Sequence, residues 1–128
     1  MICELRVSIE VLNEMQIRET VMEANSLMWT ADTIPSLTGE NLMGLGLYDQ
    51  MGKFIAIGLF PLGEKTGLEM ATRTIEFMKN QFGEYWSEIV KKTIGIISDS
   101  CATQVKMNKD ILTELYKIDQ QPRFMQFC

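Results

Sequence analysis

The chain has 128 residues, of which 46% are hydrophobic, and this is enough to build the core of one compact domain. It contains no histidine, so neither a Ser-His-Asp nor a Cys-His catalytic arrangement can form within it, and any chemistry must rest on carboxylates. The net charge of −5 is the wrong sign for binding a phosphate backbone through overall charge, so nucleic-acid contact would need a local patch or a bound cation.

Compartment and membrane contact are predicted from apolar runs and cysteines. The longest apolar stretches, residues 42–48 and 54–63, are far shorter than the roughly 20 residues that span a bilayer. The first six residues include two charges, so the start lacks the apolar core of a secretory signal. Cys3, Cys101 and Cys128 are widely spaced without a C-x-x-C, which favours reduced thiols. We therefore expect an intracellular protein, nuclear or cytoplasmic, without membrane contact.

The first segment fits a helix over residues 8–24, with Ser8 as its N-cap and apolar residues at helical spacing. A strand is the alternative, because apolar and polar residues also alternate from Leu5 to Val11. We expect residues 1–25 to form an N-terminal helical segment and residues 26–128 to form the main domain.

Three short apolar runs follow: SLMWTAD, NLMGLGLYD and KFIAIGLFP. Turn-forming Pro, Gly, Asp and Asn separate them, which predicts three strands in an antiparallel meander. A flavodoxin-like domain is disfavoured, because these strands arrive without crossover helices. Residues 54–60 are apolar at every position, so we expect this strand to be covered on both faces, in a sheet between helices.

Helices and strands alternate in the second half of the chain. A helical stripe is predicted from the spacing of Leu68, Ala71, Ile75, Met78 and Phe82, with Gly83 ending the helix. A short helix over EYWSEIVKK leads into TIGIIS, residues 93–98, which is typical of a buried parallel strand. A helix over residues 102–117 is expected to bury Val105, Leu112, Leu115 and Ile118, and RFMQFC suggests a last strand.

The resulting order, strand-strand-strand-helix-strand-helix-strand, predicts an α/β fold that matches the first half of a ribonuclease H-like mixed sheet. In that topology residues 27–31 pair in parallel with residues 93–98 and antiparallel with residues 41–48. Asp32 and Asp99 would then meet at one edge of the sheet, where two carboxylates could bind Mg²⁺ for phosphodiester chemistry. Asp99 precedes a helix, and a role as turn former or helix cap is equally expected.

Three stretches resemble consecutive landmarks of hAT-like DDE transposases and their transposon-derived relatives: WTADTIPSLTG (residues 29–39), GEKTGLEMA (63–71) and IISDSCATQ (96–104). The resemblance implies a ribonuclease H-like fold with Asp32 and Asp99 as the first two of three catalytic carboxylates that bind Mg²⁺ or Mn²⁺. It also implies DNA as the substrate, through a longer parent protein.

The sequence departs from this family pattern at several positions. Thr30 stands directly after the Trp, where some relatives have the first acid, and Lys65 or Thr66 replaces a helix-start His. The third acid has no counterpart, and Cys128 matches only the first ligand of a C-x-x-H element. We therefore expect a fold that is incomplete at the C-terminus and inactive alone. The alternative is a non-catalytic protein-interaction module derived from a transposase.

Other features have weaker functional interpretations. The GEKTG segment lacks the first glycine of a phosphate-binding loop, and the ten methionines are best explained as core filling. Phe124 and Phe127 of the last strand are expected to stay uncovered and to favour a homodimer or aggregate. A nucleic-acid face is weighed against a solvated helix surface for Trp29, Trp86, Lys91, Lys92, Lys106 and Lys109.

Overall fold

The computed structural model of the chain describes residues 14–35, 41–61 and 66–127. The predicted order of helices and strands is confirmed over these residues. The helices are α1 (Glu14–Glu23), α2 (Gly67–Phe82), α3 (Trp86–Lys92) and α4 (Ala102–Ile118), with a 3₁₀ turn (Gly83–Tyr85) before α3. The strands are β1 (Leu27–Pro35), β2 (Asn41–Tyr48), β3 (Phe54–Pro61), β4 (Thr93–Ser98) and β5 (Phe124–Phe127). The first six residues of the predicted N-terminal helix, and its alternative as a strand, lie outside the described residues.

The five strands form one mixed sheet in the order β3-β2-β1-β4-β5. Strand β1 pairs antiparallel with β2 and parallel with β4, which confirms the predicted pairing. Strand β3 continues the antiparallel meander beside β2, and β5 lies parallel to β4. The carboxyl ends of β1 and β4 therefore lie at the same edge of the sheet.

The turn between β2 and β3 is set by its own side chains. The Oδ1 atom of Asp49 accepts hydrogen bonds from the backbone N–H groups of Met51, at 2.9 Å, and Lys53, at 2.8 Å. Gly52 has a φ of 80°, which glycine adopts without the steric cost that a side chain would bring. This local chemistry closes the hairpin and fixes the register of β3 on β2.

Helix α2 ends at Gly83, as the sequence predicts, and begins after a cap that the sequence analysis did not assign. The Thr66 hydroxyl caps the helix by accepting a hydrogen bond from Glu69 N at 3.2 Å, and Gly83 ends it with a φ of 51°. The inclusion of Leu68 in the buried stripe was wrong, because this side chain is 66% exposed. Gly67 takes the buried position instead, since an added Cβ there would lie 2.5 Å from Cγ of Lys106 on α4. The two helices approach closely at this glycine, and Leu68 faces away.

The buried stripe of α4 also differs from the predicted one. Leu115 is buried as expected, but Ile118 is 48% exposed, and Val105 and Leu112 are only partly buried. Polar residues take part of the core-facing stripe, which consists of Gln104, Met107, Asn108, Ile111 and Leu115. A hydrophobic periodicity cannot register buried amides, so the prediction placed the stripe on the wrong side chains.

One face of the sheet contributes to the core, together with all four helices. The buried side chains of both form a single cluster that includes Val21, Trp29, Met78, Ile89 and Ile111. Strand β3 was expected to be covered on both faces, and this was wrong: Ile55 and Ile57 are buried, whereas Ala56 and Leu59 are exposed. Apolar residues on the outer face, among them Ala56 and the exposed Leu59, gave the sequence a continuous apolar run although only one face is covered.

Two polar contacts tie helix α3 to the sheet. Nε1 of Trp29 donates to Oγ1 of Thr93 at 2.9 Å, and that hydroxyl donates to the Ile89 carbonyl at 2.7 Å. Arg123, whose side chain is 2% exposed, donates to the carbonyls of Val90, at 2.8 Å, and Thr93, at 2.9 Å. These bonds attach the C-terminus of α3 to β1 on one side and to the segment before β5 on the other. Within the described ranges, no helix has the length and apolar character needed to cross a membrane.

Candidate functional site

Asp32 and Asp99 lie in equivalent positions on the two central parallel strands. Thr30 of β1 pairs with Ile97 of β4, and each aspartate lies two residues further along its strand direction. Asp32 shares its face of the sheet with Thr30, because side chains alternate along a strand. Its side chain is exposed, on the face opposite the core. The register therefore places both acids toward the same edge of the sheet, and their meeting in one site stays a prediction.

Asp99 has a structural partner that Asp32 lacks among the described contacts. One carboxylate oxygen, Oδ1, accepts a hydrogen bond from the backbone N–H of Cys101 at 2.9 Å. Cys101 is the N-cap residue of α4 and makes no side-chain capping bond itself. Asp99 therefore acts as the turn former at the start of α4, which is one of its two predicted roles. The residue remains exposed.

Gln104 is a residue that sequence reasoning missed. It lies in the first turns of α4, it is buried, and its Nε2 donates to the carbonyl of Ala31 at 3.0 Å. Ala31 directly precedes Asp32, so this bond holds the end of β1 against α4. Gln104 lies outside the predicted buried stripe, so the hydrophobic spacing gave no signal for it. Gln104 therefore positions the backbone that carries the first acid.

The two acids do not belong to a larger cluster of ligands. Among the residues that the structure describes, no group of three or more His, Cys, Asp or Glu side chains could hold a metal ion together. A site at this edge would have two carboxylates from the protein and would leave the other positions to water. Mg²⁺ tolerates such coordination, since it commonly keeps several waters.

Trp29 does not belong to a nucleic-acid face, and that interpretation was wrong for this residue. Its side chain is 1% exposed, and its ring lies 6.1 Å from the ring of Trp86, centroid to centroid. The hydrogen bond to Thr93 satisfies its N–H group within the core. The sequence around Trp29 is compatible with a core position or a surface position, and the packing of the folded chain places the ring in the core.

Three of the four candidate lysines already have contacts within the fold. Lys91 lies 3.6 Å from Glu88, and Lys106 lies 2.9 Å from Asp110, each one turn away on the same helix. Lys92 donates to the backbone carbonyl of Met22 on α1. These contacts are typical of a solvated helix surface and of helix packing.

A trench crosses the outer face of the sheet beside Asp32. Gly44 and Gly46 of β2 form its floor, and these two positions contribute no side chains to this face. Gly44 pairs with Asp32 on one side and with Leu59 on the other, and Gly46 pairs with Thr30 and Ala56. The walls are thus the side chains of β1 and β3, two strand spacings or roughly 10 Å apart.

An aromatic pair closes one end of this trench. Tyr48 and Phe54 have ring centroids 5.0 Å apart, and the Phe54 ring lies directly over Gly46, where an added Cβ would come within 2.3 Å of it. Burial raises the pKa of Tyr48 above its ordinary value of 10.0. The trench has a volume of about 460 Å³, and the described residues that line it belong to β1, β2 and β3. This size falls within the roughly 300–1,000 Å³ of small-molecule sites.

Comparison with protein-family models, with curated proteins and with solved structures found no match for this chain. Its class is therefore defined by the architecture alone, a mixed α/β domain with two aspartates at the carboxyl ends of its central parallel strands.

Proposed function

We propose that the chain has the ribonuclease H-like fold and corresponds to the first part of the catalytic domain of a transposase-like, nucleic-acid-processing protein of the hAT type. The supporting observation is the sheet itself. Its order β3-β2-β1-β4-β5 combines an antiparallel meander with two added parallel strands. Asp32 lies in the second half of β1, beyond its last pair with β4, and Asp99 directly follows β4.

In this proposal Asp32 and Asp99 bind Mg²⁺ or Mn²⁺. Both are carboxylates, the ligand type that these hard cations prefer, and both are exposed to solvent and to a substrate. When bound, the metal would polarise a phosphodiester and activate a water for its displacement. Gln104 holds the end of β1 in place, and the contact of Asp99 with Cys101 N leaves its second carboxylate oxygen, Oδ2, as the free ligand atom.

The same arrangement implies that these residues alone do not catalyse strand transfer or hydrolysis. Two-metal displacement needs carboxylates that hold both ions, and the described part of the chain has no group of three or more acids that could do so. DNA contact and a third acid would come through a longer parent protein.

Metal titration of the wild-type chain tests the site. We expect weak Mg²⁺ or Mn²⁺ binding that is lost in Asp99→Asn, a change that keeps a side-chain oxygen for the turn at Cys101. Glu114→Gln, at an exposed carboxylate on α4, is the matched control and should bind metal as the wild type does. Equal binding by wild type and Asp99→Asn would show that the pair is not a metal site.

A nuclease assay tests the absence of catalysis. We expect no cleavage of DNA or RNA in the presence of Mg²⁺ or Mn²⁺. Metal-dependent cleavage that disappears in Asp32→Ala would overturn the proposed inactivity while supporting the assignment of the acid.

A non-catalytic interaction module is the second candidate. The observation that favours it is the hydrogen bond from Cys101 N to Asp99, which gives this acid a structural role that needs no metal. Under this alternative Asp99→Asn leaves metal binding unchanged at background level, and Asp99→Ala lowers the free energy of unfolding by about 1 kcal/mol through loss of the turn contact.

A further inference from the structure

The trench on the outer face of the sheet has the shape of a binding site and is not explained by the proposed metal chemistry. Its floor is formed by Gly44 and Gly46 of β2; the ring of Phe54 covers Gly46, so the open part of the floor lies at Gly44, between the side chains of β1 and β3. Along β2 the trench extends from Gly44 to Tyr48, four residues or roughly 13 Å at the rise of a β-strand.

The polarity of the trench changes along its length. At one end lie the Tyr48 and Phe54 rings, and along one wall lie the apolar side chains of Ala56 and Leu59. At the other end lies the carboxylate of Asp32, which is the only charged group among the described residues that line the trench. The hydroxyl of Thr30 lies between the two ends on the β1 wall.

We propose that this trench binds an organic cation with a planar apolar body and a protonated amine. The apolar body lies over Gly44 and packs against the Phe54 ring that covers Gly46, and the amine donates to the Asp32 carboxylate. An aromatic surface at one end and an anion at the other select for a molecule with both properties.

Charge excludes the other occupants that might fit a trench of this size. A nucleic-acid phosphate would be repelled by Asp32 and by a chain that carries a net charge of −5. A positively charged ligand compensates the charge of Asp32, which among the described residues is the one charged group that lines the trench.

The proposal does not rest on the metal-binding function, and the two can be tested separately. Asp99 lies beyond the trench, on the far side of β1 from β2, and does not line it. Amine binding is measured in the presence of a chelator, so that failure of the metal site has no influence on it.

The experiment is a titration of the isotope-labelled chain with tryptamine, followed by the backbone amide signals in NMR spectra. Tryptophol is the matched neutral probe, because it carries a hydroxyl in place of the amine on the same indole body. We expect saturable shifts for Thr30, Gly44 and Gly46 with tryptamine. Tryptophol should bind about three- to fivefold more weakly, the factor expected of one exposed ion pair.

Three variants sharpen the test. Asp32→Asn should weaken tryptamine binding about three- to fivefold and leave tryptophol binding unchanged, because only the charge is removed. Gly44→Val should weaken both probes at least about tenfold by filling the floor, while thermal unfolding confirms the fold, since a β-branched residue suits a strand better than glycine. Asp99→Asn should bind both probes as the wild type does.

The proposal is overturned by any of three results. Equal affinity of the wild type for tryptamine and tryptophol would remove the role of the charge. Unchanged binding in a folded Gly44→Val variant, or shifts confined to residues outside β1, β2 and β3, would place the binding elsewhere.

Discussion

The side chain of Arg123 joins three parts of the fold, and its removal should be the most destabilising single change outside the apolar core. It donates from Nη2 to the Val90 carbonyl and to Oδ2 of Asp119, at 2.8 and 3.1 Å, and from Nε to the Thr93 carbonyl at 2.9 Å. Nη1 bonds the Asp119 carbonyl at 2.9 Å. The planar guanidinium thus holds the segment before β5 against the end of α3 and the start of β4.

The magnitude follows from what Arg123→Ala leaves behind. The Val90 and Thr93 carbonyls and the Asp119 carboxylate all lose a charged donor that is almost completely shielded from water. Burial lowers the pKa of Arg123 and Asp119 raises it, but arginine remains charged throughout the accessible pH range. The Asp119 side chain is 31% exposed and can bind water, so the cost comes mainly from the carbonyls of the buried residues Val90 and Thr93. Leaving these two acceptors without a donor costs about 1–3 kcal/mol each, a large share of the roughly 5–15 kcal/mol that stabilises a domain.

Thermal and denaturant unfolding measure this loss. We expect Arg123→Ala to lower Tm by about 10–15 °C, and Arg123→Lys to recover less than half of that because an ammonium cannot reproduce the fork of donors. Lys117→Ala is the matched control: its ion pair with Glu114 has both side chains more than half exposed, and its loss should change the free energy of unfolding by no more than about 0.5 kcal/mol. An Arg123→Ala variant within about 1 kcal/mol of the wild type would refute the reasoning.

Three further predictions concern single side chains. Asn108 is fully buried, and neither of its side-chain amide atoms has a hydrogen-bond partner in the described part of the chain. The near-isosteric Asn108→Leu should therefore raise the free energy of unfolding by about 1–3 kcal/mol. A loss of stability in chemical denaturation would show that the amide is satisfied. Burial raises the pKa of Tyr48. The contribution of the neutral Tyr48 side chain to stability is therefore complete below about pH 10 and is lost as the pH rises through the folded-state pKa. Tyr48→Phe should lessen the decline of the melting temperature at alkaline pH more than Tyr116→Phe does. Phe124 and Phe127 are 50% and 55% exposed on the edge strand β5. The chain should therefore self-associate as its concentration rises. Sedimentation equilibrium that fits a monomer at every concentration would contradict this.

The order and pairing of the strands could be predicted because local signals and topology agree. The turn residues Asp49 and Gly52 fix the β2–β3 hairpin, and Thr66 and Gly83 delimit α2, each through chemistry that is visible in the sequence. Once three strands form a meander, a following helix and a short β-branched strand place that strand beside the first one. These steps need no knowledge of which side chains are covered.

The sequence could not show which side chains are buried under another part of the fold. The run from Phe54 to Phe60 is apolar at every position, yet only its inward side chains are buried, because hydrophobicity of a side chain does not show that a partner lies over it. The same gap explains α4, where Gln104 is buried through a bond to a carbonyl from another strand. Arg123 was not singled out from the sequence, because most of its partners are backbone carbonyls, which carry no sequence signal.

The candidate site was predictable in position and unpredictable in its contacts. Parallel strands carry their carboxyl ends to one edge, so the register that puts Asp32 and Asp99 there follows from topology. The bond from Cys101 N to Asp99, and the trench beside Asp32, depend on the backbone path after β4 and on the absence of side chains at two glycines. Neither is a property of the acids themselves.

The two aspartates therefore separate the two proposed ligands. Asp32 belongs to both sites, because it lies on the central strand β1 and its carboxylate lines one end of the trench. A divalent cation and an organic amine would therefore compete for this carboxylate. Asp99 belongs to the metal site alone. If both proposals hold, Mg²⁺ should weaken tryptamine binding by the wild type and should have no effect on tryptamine binding by Asp99→Asn. Competition that persists in Asp99→Asn would mean that Asp32 binds the metal without its neighbour, and the paired-carboxylate site would then be wrong.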